Sequence, residues 1–184
     1  MWILVALTAF ATPWQQPDQE ILDVLHAPST PWTSVSPDAA HILLADTVRY
    51  PPLADRAAAM LPLAGIRVDG RTNAIHGNSG RTALRLLDVA SGLETSLDIG
   101  GARLLDANWS ADGDRLAITL LAEDHVGLWV GTVDGSGAIV PDLALIPLLG
   151  SSVTWMTDQD RLLVKAVPDR GTPPNVPRSR TARQ

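Results

Sequence analysis

One short phrase occurs three times in this chain: an apolar residue, a polar turn built around Asp, then an apolar run. It reads Val35-Ser-Pro-Asp-Ala-Ala-His-Ile-Leu-Leu44, Trp109-Ser-Ala-Asp-Gly-Asp-Arg-Leu-Ala-Ile118 and Trp155-Met-Thr-Asp-Gln-Asp-Arg-Leu-Leu-Val164. In the first copy Pro37 suits position i+1 of a turn, and an Asp such as Asp38 can bond back to its own backbone, so each phrase predicts a strand, a tight turn and a second strand. The second and third copies begin 46 residues apart. Repeats of ~40–45 residues are single supersecondary units that bury their apolar faces by stacking on one another.

A second hairpin grammar alternates with the first. Ala83–Val89, the turn Ala90-Ser-Gly-Leu93 and Glu94–Ile99 form one example; Val126–Val133, Asp134-Gly-Ser-Gly137 and Ala138–Val140 form another. Gly92 stands where such a turn needs positive φ. A Ser-x-Asp hairpin followed by a Gly hairpin makes a four-stranded sheet. The expected fold is therefore all-β: a partial β-propeller of about two to three four-stranded blades, with a short N-terminal helix and a helical and loop insertion. Closed propellers use typically 4–8 blades, so these repeats are too few to complete a ring.

The insertion separates the first two copies, which begin 74 residues apart. Residues 46–81 contain Tyr50-Pro51-Pro52, a helix-forming run from Leu53 to Leu61, and a Gly- and Asn-rich loop from Asp69 to Gly80. Connections longer than ~12–15 residues are usually functional or mobile, so this segment is the first place to look for a contact surface. The remaining boundaries are 1–11 as a signal peptide, 12–31 as an N-terminal arm, 32–167 as the partial propeller, and 168–184 as a disordered Pro- and Arg-rich tail. Within the arm, Ile21, Leu22 and Leu25 share one helical face, which predicts a short helix laid against the first blade.

Residues 3–11 are uncharged and apolar and end in Ala9-Phe10-Ala11, the small-x-small form of a signal peptidase site. The run is shorter than the ~20 apolar residues of a membrane-spanning helix. The expected location is periplasmic or secreted, with no stable membrane span. Charge excludes another class of partner. The formal net charge is -6, and five of the basic groups (Lys165, Arg170, Arg178, Arg180 and Arg183) fall after residue 164, which leaves a strongly acidic body. Nucleic acid is not an expected partner, because phosphate recognition needs clustered Lys and Arg. The chain has no Cys, which removes disulfides, thiolate metal sites and a Cys nucleophile.

Candidate chemistry is sparse. His76-Gly-Asn-Ser79-Gly80 has the outline of a nucleophile elbow, but Arg81 stands where the second Gly of G-x-S-x-G belongs, and a strand follows rather than a helix. His26, His41, His76 and His125 lack metal-ligand spacing. The pairs Asp112/Asp114 and Asp158/Asp160 look like pieces of a calcium loop without its twelve-residue pattern, so turn chemistry accounts for them. Trp109, Trp129 and Trp155 are expected to fill the space between stacked sheets. No residue is assigned a catalytic, cofactor-binding or metal-binding role.

With these features placed, the chain resembles the N-terminal propeller region of S9 serine peptidases of the prolyl oligopeptidase family, in particular the glutamyl-endopeptidase-like branch. The Ser-x-Asp phrases, Leu63-Ala-Gly-Ile-Arg67 with Arg71-Thr-Asn73, and Leu128-Trp-Val130 carry the resemblance. It implies a propeller that caps an α/β-hydrolase domain and gates peptide substrate, with catalysis by Ser, Asp and His of that missing domain. The expected partners are peptides or the hydrolase domain, and the chain itself is expected to be a truncated, non-catalytic fragment whose Arg-rich ending suits a frameshift or early stop. Two rivals remain: a TolB-like protein-interaction propeller without an enzymatic parent, and a small hydrolase using Ser79 and His76.

Overall fold

A computed structural model describes residues 16–168. The expected signal peptide and all but the first residue of the expected tail lie outside the described residues. Two short helices, α1 (Gln19–His26) and α2 (Leu53–Ala57), accompany strands β1 (Trp32–Val35), β2 (His41–Thr47), β3 (Leu61–Leu63), β4 (Ile66–Val68), β5 (Arg81–Asp88) and β6 (Glu94–Ser96). Then follow β7 (Arg103–Trp109), β8 (Arg115–Leu121), β9 (Val126–Thr132), β10 (Gly137–Ile139), β11 (Val153–Trp155) and β12 (Leu162–Val164). The protein is mostly antiparallel β-sheet, as expected.

The largest sheet runs in the order β1-β2-β5-β7-β8-β9-β10, with β6 on β5. It divides at one point. β5 and β7 pair only at Arg81 and Leu104, whereas β7 and β8 pair from Arg103↔Leu121 to Trp109↔Leu116, with a one-residue bulge between Leu104 and Asp106. The sheet is thus two four-stranded antiparallel units, β1-β2-β5-β6 and β7-β8-β9-β10, joined by a single bridge. β11 and β12 form a separate hairpin, and among the described residues no sheet closes on itself.

Burial follows from this stacking. Leu43, Leu84 and Leu86 of the first unit pack with Leu104, Leu116, Ile118, Leu120 and Trp129 of the second. On the other side Ala117, Val126 and Leu128 meet Leu145 and Val153. The second unit is therefore covered on both faces, which is why β8 is buried from Leu116 through Leu120 without alternation. Burying a Leu or Ile side chain fully is worth about 1.5–3 kcal/mol, so these two seams hold the units together.

The turn phrases share a backbone. Ala39, Gly113 and Gln159 occupy the same position in the three turns, and all have positive φ, at 60°, 84° and 58°. In the first turn Ser36 Oγ donates to Asp38 Oδ1 at 2.5 Å, and Ala40 N donates to the same oxygen at 3.1 Å. Ser110 and Asp112 repeat this arrangement, with Asp114 N at 3.1 Å. In the third turn Met156 replaces the Ser, and Asp158 Oδ1 accepts from Asp160 N at 3.2 Å. These bonds keep Asp38 and Asp112 below the ordinary carboxylate range, led by the Ser hydroxyl in each case.

Two local expectations need correction. The helix expected from Leu53 to Leu61 ends at Ala57, and Leu61 instead begins a hairpin, β3–β4. The reason is the pair Ala64-Gly65 at φ 46° and 87°. Positive φ at both central residues makes the two-residue turn that matches strand twist. The arm helix forms as α1, but it buries no residue: Ile21 and Val24 are 52% and 72% exposed. Arg49 Nη1 reaches the carbonyl oxygens of Leu25 and Ala27 at 3.3 and 3.4 Å, so the helix is tethered at its end rather than laid down along its apolar face.

Candidate functional site

The insertion helps to build a concavity. Its α2 and its 69–78 loop meet the β6–β7 connection and the β8–β9 turn around a cleft of about 460 Å3. That is within the ~300–1,000 Å3 range of small-molecule sites. Five charged residues line it: Asp55, Asp69, Arg71, Arg103 and Glu123.

The loop is held from both sides. Thr72 and Ala74 are each 3% exposed, and Ala74 packs into the seam with Ala117 and Val126. Arg103 reaches across from β7, donating through Nη1 to Asp55 Oδ2 at 3.3 Å and to the Ser79 carbonyl oxygen at 3.1 Å. His76 Nε2 lies 3.0 Å from the Ala58 carbonyl oxygen, linking the loop to the residue after α2. Asp69 Oδ1 accepts from Arg71 N at 2.9 Å while Asp69 Oδ2 accepts from Arg71 Nη2 at 3.1 Å. This pairing lowers the Asp69 pKa, the Arg71 hydrogen bond being the largest cause, and raises that of Arg71 for the same reason.

The sequence candidates scatter. Ser79 contributes its carbonyl oxygen to Arg103, and His76 faces Ala58, so the two form no nucleophile–base hydrogen bond. His41 Nε2 lies 3.6 Å from Asp88 Oδ2 on the first unit, His125 Nδ1 lies 2.6 Å from Asp124 Oδ1 on the β8–β9 turn, and His26 ends α1. Among the described residues no group of three or more His, Asp and Glu is placed to hold a metal ion. Asp112 and Asp158 bind turn amides, and Asp160 pairs with Arg115 at 2.8 Å.

The tryptophans occupy seams. Trp129 is 1% exposed, and a Cβ added at either Gly131 or Gly137 would lie 2.2 Å from its ring. Gly131 and Gly137 pair across β9 and β10, so together they form a slot for the indole. Trp109 Nε1 donates to Ser34 Oγ at 3.0 Å, and Trp155 Nε1 donates to the Asn108 carbonyl oxygen at 3.0 Å. Sequence reasoning had pointed to the insertion but missed Arg103 and Glu123 as cleft residues. Neither lies in a motif, and only the fold brings them beside residues 55–78.

No family model matches this chain. It is similar over most of its length to two curated plant proteins. It is 32% identical to the probable chloroplastic glutamyl endopeptidase of Arabidopsis thaliana, over 92% of this chain and 19% of that protein. It is 30% identical to the protein of the same name from Oryza sativa subsp. japonica, over 89% of this chain and 19% of that one. The chain thus spans about a fifth of the length of these relatives, and it is similar to a peptidase-related region rather than to a whole peptidase.

No helix among the described residues is long and apolar enough to cross a membrane.

Proposed function

We propose that this chain is a β-propeller region of an exported S9-type serine peptidase of the glutamyl-endopeptidase-like branch, without catalytic residues of its own. The observation that carries the reading is the 32% identity to a probable glutamyl endopeptidase over 92% of the chain. The two four-stranded units and the β11–β12 hairpin are then successive blades. The indole hydrogen bonds support this arrangement, since each ties a repeat-equivalent strand to its predecessor.

In the parent, Ser, Asp and His of an α/β-hydrolase domain would perform acyl transfer, and the propeller would gate and orient the peptide. The insertion 46–81 lines the entrance or the domain interface, because its cleft opens among loops of both units. Residues 1–11 direct export.

The test is to read the gene downstream of this chain in all frames for a G-x-S-x-G elbow and to express the joined polypeptide. Peptide cleavage that is lost when the elbow Ser is changed to Ala supports the reading. Absence of the elbow together with absence of peptidase activity favours an interaction propeller of TolB type. Export is tested by fusing residues 1–31 to a reporter that is active only after translocation.

A further inference from the structure

The cleft beside the insertion has unspent charge of both signs. Asp69 and Arg71 form one ion pair and Asp55 and Arg103 form another. Glu123, on the same wall set, makes no ion pair or hydrogen bond among the described residues, and its charge is felt by Arg71 without a direct contact. Arg71 is also only partly used: Asp69 engages its backbone N, its Nε and its Nη2, while Nη1 has no partner among the described residues. Its side chain is 65% exposed, against 16% for Asp69, so a half-buried carboxylate holds an open guanidinium in place. A preorganised guanidinium is a strong partner for carboxylate oxygens.

Thr72 and Asn78 add uncharged polar groups to the lining, and an apolar strip lies beside them. Ala74, Ile75, Ala102 and Leu121 contribute to it, and Gly100 and Gly101 bring bare backbone to its rim at φ 61° and 76°. A ligand that matches these walls carries a cation for Glu123, an anion for Arg71 and a small apolar group between them. Single charges fit less well. An anion alone meets the Glu123 carboxylate, and a cation alone meets the Arg71 guanidinium.

We propose that this cleft binds a small zwitterion, a free α-amino acid with a short apolar side chain, with its carboxylate on Arg71 and its ammonium on Glu123. The site is separate from any peptidase chemistry and does not depend on the peptidase reading. Its expected affinity is around the millimolar range, as befits a ligand of few atoms in an open cleft.

The experiment is a titration of the isotope-labelled 184-residue chain with L-alanine, followed by amide chemical shifts. Saturating shifts at Arg71, Thr72, Gly101 and Ala122 are expected by about 10 mM. N-acetyl-L-alanine, which lacks the ammonium, and L-alaninamide, which lacks the carboxylate, should each bind at least about tenfold more weakly on the unaltered protein, the loss expected from one charge-assisted contact. Glu123→Gln and Arg71→Gln should weaken L-alanine to a similar degree while leaving the remaining spectrum in place. No saturable shift at the cleft overturns the proposal, and so does binding that survives loss of either ligand charge. A positive result with no peptidase activity in the joined polypeptide would leave the site standing and remove only the peptidase reading.

Discussion

The indole N–H of Trp155 donates to the backbone oxygen of Asn108 at 3.0 Å, across 47 residues of chain. Trp109 makes the corresponding reach to Ser34 Oγ, also at 3.0 Å. In each case the acceptor residue directly precedes the phrase position that the tryptophan itself occupies one repeat later. The repeat is therefore registered in space by its own side chains. A change of Trp155 to Phe keeps a ring in the seam but leaves the Asn108 carbonyl without its donor, and should cost about 1 kcal/mol. Trp109→Phe should behave similarly. Urea unfolding of the two variants checks this, and an unchanged midpoint for both would show that the bonds contribute nothing to docking.

Ala39 sits at φ 60° where the second turn has Gly113. An L-residue with a Cβ pays about 1–2 kcal/mol in this region, partly offset by the greater unfolded-state freedom of Gly. Ala39→Gly is therefore expected to stabilise the protein by several tenths of a kcal/mol to about 1 kcal/mol. Gly113→Ala should do the opposite and more strongly, since its Cβ would fall 2.7 Å from Asp38 Oδ1 at φ +84°. Thermal melts of the pair should move in opposite directions.

The slot around Trp129 makes a steric prediction. Gly131→Ala and Gly137→Ala each place a methyl 2.2 Å from the ring, which no small rotation relieves in a residue that is 1% exposed. Each should destabilise by about 1–3 kcal/mol through overpacking. At Gly137 the three nearest atoms all belong to the ring, so Gly137→Ala in a Trp129→Leu background should cost less than in the parent. At Gly131 the Ser136 carbonyl oxygen at 2.3 Å keeps a clash in place; double-mutant cycles measure the difference. Additive costs at Gly137 would show that this glycine serves the backbone rather than the indole.

Acid should loosen the turns before it reaches the seams. Asp134 Oδ1 accepts from Ser136 N at 2.8 Å and from the hydroxyls of Ser136 and Thr132, and its pKa falls from 3.8 to about 2, the Ser136 side chain being the largest cause. Asp38, Asp88, Asp112 and Asp158 shift in the same direction. A depressed folded pKa gives stability that is fully present above the unfolded value and is lost as pH falls through the folded one. The melting temperature should therefore decline below pH ~4 and keep declining to about pH 2, and Asp134→Asn should flatten part of that slope. A melting temperature independent of pH over this window would contradict the turn assignments.

Much of the sheet was legible because its signals are local. The Ser-x-Asp turns and the Gly92 turn declare themselves through residues that bond to their own backbone or accept positive φ, and the strands between them follow from apolar periodicity. The β3–β4 hairpin was obscured for the same kind of reason: Ala64-Gly65 is a weaker turn signal than Asn-Gly, and Leu53–Leu61 has good helix formers whose preference the hairpin overrides. The cleft was half legible. Asp69 and Arg71 lie two residues apart and could be paired by eye, whereas Arg103 and Glu123 are 48 and 68 residues from Asp55, one on β7 and the other on the β8–β9 turn.

The order of residues alone determined the alternation of strand and turn, the repeat of the three phrases and the place of the insertion, because each depends on neighbours a few positions apart. Only the tertiary structure decided that the large sheet narrows to one bridge between Arg81 and Leu104. It also decided that Trp109 and Trp155 tie one repeat to the previous one, and that four charged groups pair in a cleft while Glu123 is left over. Those outcomes depend on distances between segments remote in sequence, which are set when apolar faces choose their partners rather than by any local preference of the chain.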